Sequence, residues 1–214
     1  MIRDGRVRVD GAAVKLPETR VDPLRAEILL DGEKLVWKKN HYFMMNKPAG
    51  VLTATEDKRC KTVLDLLDVE QRRLGLFPVG RLDRDTRGLL LLTDDGDFAH
   101  RVISPKFAVE KLYDATVEGT PDEEDAAAFA AGLELADGTK CRSARLTPLG
   151  DNRCLVTVTE GKYHQVKRML ASRGLPVREL KRLSIGALKL PDDLEEGAVR
   201  ALSEEDLCRV FMVR

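Results

Sequence analysis

The stretch GLLLLT at positions 88–93 is continuously apolar and bounded by charged turn residues, a pattern that predicts a short buried strand. An Asp-Asp-Gly turn follows, and then a helix near 97–103. In EKLYDATVEG, residues Leu112, Asp114 and Thr116 alternate with Tyr113, Ala115 and Val117, which predicts a second long strand. Positions 121–131 predict an acidic, Ala-rich helix, and RCLVTVTEG another strand. The period changes in HQVKRMLASRG: Val166, Met169 and Leu170 fall on one side at about 100° per residue and His164, Lys167 and Arg168 on the other, the signature of an amphipathic helix. Gly174 is its expected stop, with Pro176 just beyond. Upstream, YFMMNKPAGVL predicts a buried strand entering a turn, and Thr62 caps an apolar helix containing Val63, Leu64, Leu66 and Leu67.

Positions 1–40 differ in texture. Short apolar pieces (Val7 and Val9, Ile28–Leu30, 35–37) are separated by Asp10-Gly11, Asp22-Pro23 and Asp31-Gly32, which are hairpin signals. The first residues, MIRDG, read like the end of a helix whose beginning is absent. Strands and helices mix without a regular βαβ repeat, so the expected class is α+β with a mainly antiparallel or mixed central sheet and flanking helices. The expected division is a small module at 1–40 and a larger domain at 41–214.

Composition narrows the function classes. With 43% hydrophobic and 34% charged residues, the 214-residue chain reads as a soluble globular protein with a substantial core. No apolar run approaches the ~18 residues of a membrane helix, and no apolar stretch follows the first charges, so cytoplasmic residence is expected. Cys60, Cys141, Cys154 and Cys208 form no metal-ligand spacing, which predicts four reduced, mostly buried thiols and no metal site. Net charge is zero, yet seven Lys or Arg residues and one acid lie between Lys162 and Arg182, so a basic face on a neutral protein is permitted.

Asp83 and Asp85 sit in a loop before the apolar strand, beside Arg81, Arg84 and Arg87. Such a cluster suits a reactive carboxylate in a partly dry site, and equally a salt-bridged turn that closes the strand. An aspartate-nucleophile phosphatase would need its hydrophobic strand ahead of the first Asp and Thr or Val two places after the second, where this chain has Arg87. A calcium loop on DDGD lacks the closing Glu. The basic stretch that begins at VTEGKYHQVKRM offers a cationic wall suited to a phosphate backbone.

Three segments together, NKPAGVLT (46–53), GRLDRDTRGLLLLTDDGD (80–97) and EGKYHQVKRMLASRG (160–174), resemble the motifs of the RsuA-type pseudouridine synthases, which isomerise a uridine in ribosomal RNA. The likeness runs from about Tyr42 to the C-terminus, and YHQVKRM is closer to the small-subunit (16S) enzyme than to its large-subunit (23S) counterparts. The resemblance implies Asp83 as nucleophile, Lys167 as its basic partner and Tyr113 as the aromatic that packs on the target base and helps remove the C5 proton. It implies Arg81 in the space left by the flipped base, and RNA or base contacts at Lys47, Lys162, His164, Gln165 and Arg168. Leu183 and Ile185 would floor the uracil pocket. No metal or organic cofactor is implied. The implied partner is 16S rRNA or a small-subunit assembly intermediate, modified at the uridine-516 type of site by a monomer on a flipped-out base. Two departures stand out. Lys162 replaces the more usual Arg, which removes bidentate phosphate contact. Residues 1–40 match only the latter part of the S4-like RNA-binding module that precedes the family's catalytic domain.

Overall fold

The computed structural model describes residues 1–35 and 37–212; Val36, the middle of the apolar piece 35–37, lies outside the described residues. The chain separates into two compact units, Met1–Asn40 and His41–Arg214.

The first unit is a four-stranded antiparallel sheet of β1 (Val7–Val9), β2 (Ala12–Val14), β3 (Ile28–Leu30) and β4 (Glu33–Lys34), in the order β2-β1-β3-β4. Two of the three hairpin signals make hairpins. Asp10 and Gly11 (φ 49° and 81°) and Asp31 and Gly32 (φ 52° and 87°) both take the left-handed pair of conformations that a two-residue turn of this twist requires. Asp22-Pro23 instead starts a local turn inside the β2–β3 connection, where the Asp22 carboxylate accepts the Leu24 amide at 3.1 Å. Residues 1–5 form a turn closed by Gly5 N–H on Ile2 O at 2.9 Å.

The second unit is built on a nine-stranded mixed sheet. Its strands are β5 (Tyr42–Lys47), β6 (Phe77–Val79), β7 (Arg87–Thr93), β8 (Lys111–Val117), β9 (Arg145–Gly150), β10 (Arg153–Val158), β11 (Val177–Ile185), β12 (Leu188–Lys189) and β13 (Val199–Ala201). The order is β13-β5-β7-β11-β8-β10-β9, with β12 on β11 and β6 on β7. Helices α1 (Val69–Arg72), α2 (Gly96–Ile103), α3 (Glu123–Ala131), α4 (Gln165–Ser172) and α5 (Glu204–Val210) flank it, so the architecture is α+β. The segment after Thr62 is a 3-10 turn (Val63–Leu66), held by the Asp65 carboxylate on the Thr62 amide at 2.7 Å.

The four leucines explain the sheet's centre. Leu90 and Leu92 face a core completed by Phe129 of α3 and Val166, Met169 and Leu170 of α4, while Leu89 and Leu91 face a second core with Phe98 and Val102 of α2 and Val210 of α5. A strand covered on both faces has no polar side to alternate with, hence the unbroken run. Each leucine has no exposed surface, and its burial is worth about 1.5–3 kcal/mol. The parallel pair β7–β11 brings Gly88 opposite Arg182, so close that a Cβ on Gly88 would lie 2.2 Å from Arg182 O. Gly88 also has φ +102°, so backbone approach and backbone conformation both require glycine there. The thiols depart from expectation: Cys141 and Cys154 are buried, whereas Cys60 is partly covered and Cys208 exposed, because Cys208 faces outward on α5.

Candidate active site

The loop between β6 and β7 carries Asp83, and the turn after β5 holds that loop in place. Gly50 N–H donates to Arg84 O at 2.7 Å, and the Arg84 Nε returns to Gly50 O at 3.1 Å. Thr53 Oγ1 donates to Leu82 O at 2.7 Å and accepts from Leu82 N–H at 3.2 Å. Lys47 Nζ donates to Pro48 O at 2.9 Å, Arg84 O at 3.2 Å and Thr86 O at 2.9 Å. The NKPAGVLT and GRLDRDTRG segments are therefore one mechanical unit. This corrects the expectation for Lys47: it has no exposed surface, and all three donors hold loop carbonyls instead of reaching RNA. Burial pushes its pKa down to about 8, against the pull of Asp85 and Asp83.

Helix α4 supplies the facing wall. Its N-cap, His164, takes the left-handed conformation (φ 47°), which turns the ring toward the loop and brings Nε2 to 3.4 Å from Asp83 Oδ1. Lys167 Nζ stands 3.2 Å from Asp83 Oδ2 and 2.5 Å from Asp85 Oδ1. Burial lowers the Lys167 pKa, but the two carboxylates more than offset it and hold the ammonium above its ordinary value. The hydrogen bond from Lys167 in turn holds the Asp85 carboxyl low. Asp83 thus faces one nitrogen per oxygen, with a quarter of its side chain exposed.

The segment 160–165 is braced from within. Glu160, buried, accepts the Arg142 amide at 2.9 Å, Gln165 Nε2 at 2.8 Å and Lys162 Nζ at 3.1 Å, while Gln165 Oε1 accepts the Lys162 amide at 2.9 Å. Gln165 is therefore a buried brace that also lines the smaller cavity at Asp83. Arg168 turns to Asp137 at 2.6 Å. Tyr163 is 76% exposed, its ring stacked on His164 at 3.9 Å and 17°.

Two adjoining cavities share Arg81, Asp83, Tyr113, Lys162 and His164 in their walls. The inner one, about 70 Å³, is lined by apolar Leu82, Val158, Val166 and Leu180 and by polar Glu160, Gln165 and Lys167. The outer one, about 680 Å³, is lined also by Lys111, Tyr163 and Arg182. The apolar floor is Leu180, not Leu183 or Ile185: Ile185 packs into the second core, and Leu183 lines neither cavity. The pleat of β11 sends Leu180 and Arg182 to the site, and register shifts interrupt it before Ile185. Lys111 and Arg182 are the residues the sequence reading missed. The signal was there, since Lys111 is two positions from Tyr113 on one strand.

The expected cationic wall is mostly neutralised, because acids meet it: neighbouring Glu160 on Lys162 and, from distant segments, Asp137 on Arg168, Asp125 and Glu124 on Arg173, and Glu118 on Arg178. In DDGD, Asp94 binds His41 and Asp95 caps α2 and accepts the Tyr42 hydroxyl at 2.6 Å. Among the described residues no cluster of three or more His, Cys, Asp or Glu could hold a metal ion, and no helix is long and apolar enough to cross a membrane.

Comparison with known proteins points the same way as the geometry. A family model described as RNA pseudouridylate synthase matches residues 41–172. The uncharacterized RNA pseudouridine synthase YtzG of Bacillus subtilis is 43% identical over 211 residues, 97% of this chain and 88% of that protein. The ribosomal small subunit pseudouridine synthase A of Escherichia coli is 41% identical over 213 residues, 98% and 90% of the two chains. A solved structure described as a pseudouridylate synthase superposes with a TM-score of 0.76 at 37% identity, covering 98% of this chain and 90% of that one.

Proposed function

Because the chain belongs to the RNA pseudouridylate synthase family, we propose that it isomerises one uridine of ribosomal RNA to pseudouridine, in 16S rRNA at the uridine-516 type of site. The near full-length similarity to relatives named for the small ribosomal subunit supports this substrate. The observation that carries the chemistry is the Asp83 carboxylate, partly exposed where the two cavities meet and flanked by Lys167 and His164.

In this reading the target base leaves its stack, at a cost of a few kcal/mol, and enters the inner cavity against Tyr113. Arg81 fills the space it vacates. Asp83 attacks C1′ of the ribose, and the N1–C1′ bond breaks with its electron pair going to the base. The base turns within the inner cavity, C5 bonds to C1′, and the carboxylate departs with the pair it brought. Tyr113 helps remove the C5 proton and N1 regains one, so the net change is an isomerisation with no cofactor. Lys167 is a positioning residue: it orients Asp83 from α4. Residues 1–40 act as a partial S4-like RNA-binding module, in a monomer that works in the cytoplasm on 16S rRNA or a small-subunit assembly intermediate.

The test is Asp83→Asn, with pseudouridine mapped in both ribosomal RNAs from cells carrying wild type, variant or neither. The expected result is a single 16S pseudouridine that depends on the carboxylate, with RNA binding retained by the variant. Conversion by Asp83→Asn would refute the nucleophile, and a lost site in 23S rRNA would refute the subunit.

A further inference from the structure

The floor of the outer cavity holds two cations that the reaction above does not use. Lys111 and Arg182 stand on the paired strands β8 and β11, 7% and 3% exposed. Lys111 Nζ donates to Val109 O at 2.8 Å. Arg182 Nε donates to Leu89 O at 2.7 Å and Nη1 reaches the Tyr113 hydroxyl at 3.4 Å, but Nη2 is buried with no hydrogen-bond partner. Among the described residues neither forms an ion pair with a carboxylate, and the charge that acts on Lys111 is that of Arg182 itself. Lys162 and Lys167 on the facing wall each have an acid, Glu160 and Asp83.

Buried charges without a counterion destabilise a fold, and an unsatisfied guanidinium nitrogen adds to that. An anion entering the cavity would supply the missing charge. Burial together with the repulsion from Arg182 already pushes the Lys111 pKa down to about 8. The layout says which anion. If the base occupies the smaller cavity with C1′ at Asp83, the ribose and its phosphates extend into the larger one, whose wall continues from Asp83 through Tyr113 to Lys111 and Arg182. Arg182, its Nε held by Leu89 O, keeps its Nη groups for a phosphate oxygen, and Lys111 adds a point charge beside it.

We propose that Lys111 and Arg182 form a subsite for one backbone phosphate of the substrate strand, adjacent to the nucleotide whose base enters the inner cavity. The proposal rests on the RNA substrate assigned above.

The experiment compares wild type, Lys111→Met and Lys111→Arg, full length, binding a 16S rRNA transcript across a salt series, with uridine conversion followed in the same samples. Methionine keeps the length of the side chain and removes the charge, so the variant should melt at or above the wild-type temperature. Its RNA affinity should fall about tenfold at low salt, and the slope of log affinity against log salt should shrink by about 0.7–0.9, one phosphate contact. Lys111→Arg should restore both. An unchanged slope in a folded Lys111→Met variant would overturn the subsite. So would a loss of turnover at saturating RNA with binding intact, which would assign the cations to the departing base. A melting temperature well below wild type would overturn it as well, by making the ammonium a support for Val109. Wild-type conversion of uridine alongside any of these results separates failure of the subsite from failure of the assigned reaction.

Discussion

Lys47→Met tests whether a buried ammonium positions the reactive loop. The wild-type lysine carries its charge with no exposed surface, at a pKa of about 8 against 10.5 for the free side chain. A lysine whose folded pKa is depressed weakens folding wherever both states hold the proton, which is the region below pH 8. Between about pH 8 and 10.5 the unfolded chain binds a proton that the folded one has released, so stability rises with pH across that window. At 1.36 kcal/mol per unit the full effect is about 3 kcal/mol, of which about 2 kcal/mol accrues between pH 7 and 9.5. Methionine removes this term and also removes the donors to Pro48 O, Arg84 O and Thr86 O, each worth about 1.5–3 kcal/mol as a bond to a charged group. The expected net result at pH 7 is a variant destabilised by about 1.5–6 kcal/mol, with the gap to wild type widening by about 2 kcal/mol at pH 9.5. Urea unfolding followed by circular dichroism at several pH values measures that difference, in which groups common to both proteins cancel. Turnover should fall by about a hundredfold as the Asp83 loop loosens, since a displacement of about 1 Å at a reacting group has that consequence. A stability gap that stays flat from neutral to alkaline pH would refute the argument. Unimpaired turnover in a loosened loop would refute the positioning role.

Two further perturbations probe the frame around the site. Gly88→Ala forces a Cβ against Arg182 O and into a left-handed backbone conformation, and should cost about 3–5 kcal/mol in denaturant unfolding; a loss under 1 kcal/mol would mean that β7 and β11 can part freely. In the 160–165 brace, burial raises the Glu160 pKa, but the Arg142 amide, Lys162 and Gln165 more than offset it and hold the carboxyl below its ordinary value. Its stabilisation is therefore present above the unfolded value and lost as pH falls through the lower folded one. Glu160→Gln should be less stable than wild type by about 1–3 kcal/mol near neutrality, with the gap closing in acid; an equal gap at pH 3 and 7 would contradict it.

Elements whose pattern is set by their own burial were readable from the chain. The run 88–93 became β7 because both faces of that strand are covered, and the helical period after His164 became α4 because Val166, Met169 and Leu170 face one core. The Asp-Asp-Gly turn before the helix near 97–103 was readable too, and there the Asp95 carboxylate accepts the Asp97 and Phe98 amides. Asp22-Pro23 turned the chain without pairing strands, because a turn dipeptide specifies local φ and ψ and says nothing about which strands flank it. The assignment of Leu183 and Ile185 to the pocket failed for a similar reason. Alternation along β11 holds only between register shifts, and those depend on the partner strand β8.

Charge was the least readable property, and the site shows why. Seven cations between Lys162 and Arg182 looked like a surface for phosphate, yet five of them meet carboxylates: Lys162, Lys167, Arg168, Arg173 and Arg178. The acids come from positions 83, 118, 125, 137 and 160, most of them remote in sequence, so no count along the chain could have paired them. A cation's availability to RNA depends on what is left after that internal pairing. By this criterion Arg182 and Lys111 differ from those five, because the pleat turns both inward, away from water and from the acids that neutralise their neighbours. Inward-facing cations in a strand would ordinarily count against RNA contact. Beside a cavity that opens at Asp83 they count for it, since a flipped nucleotide brings its own phosphates inside.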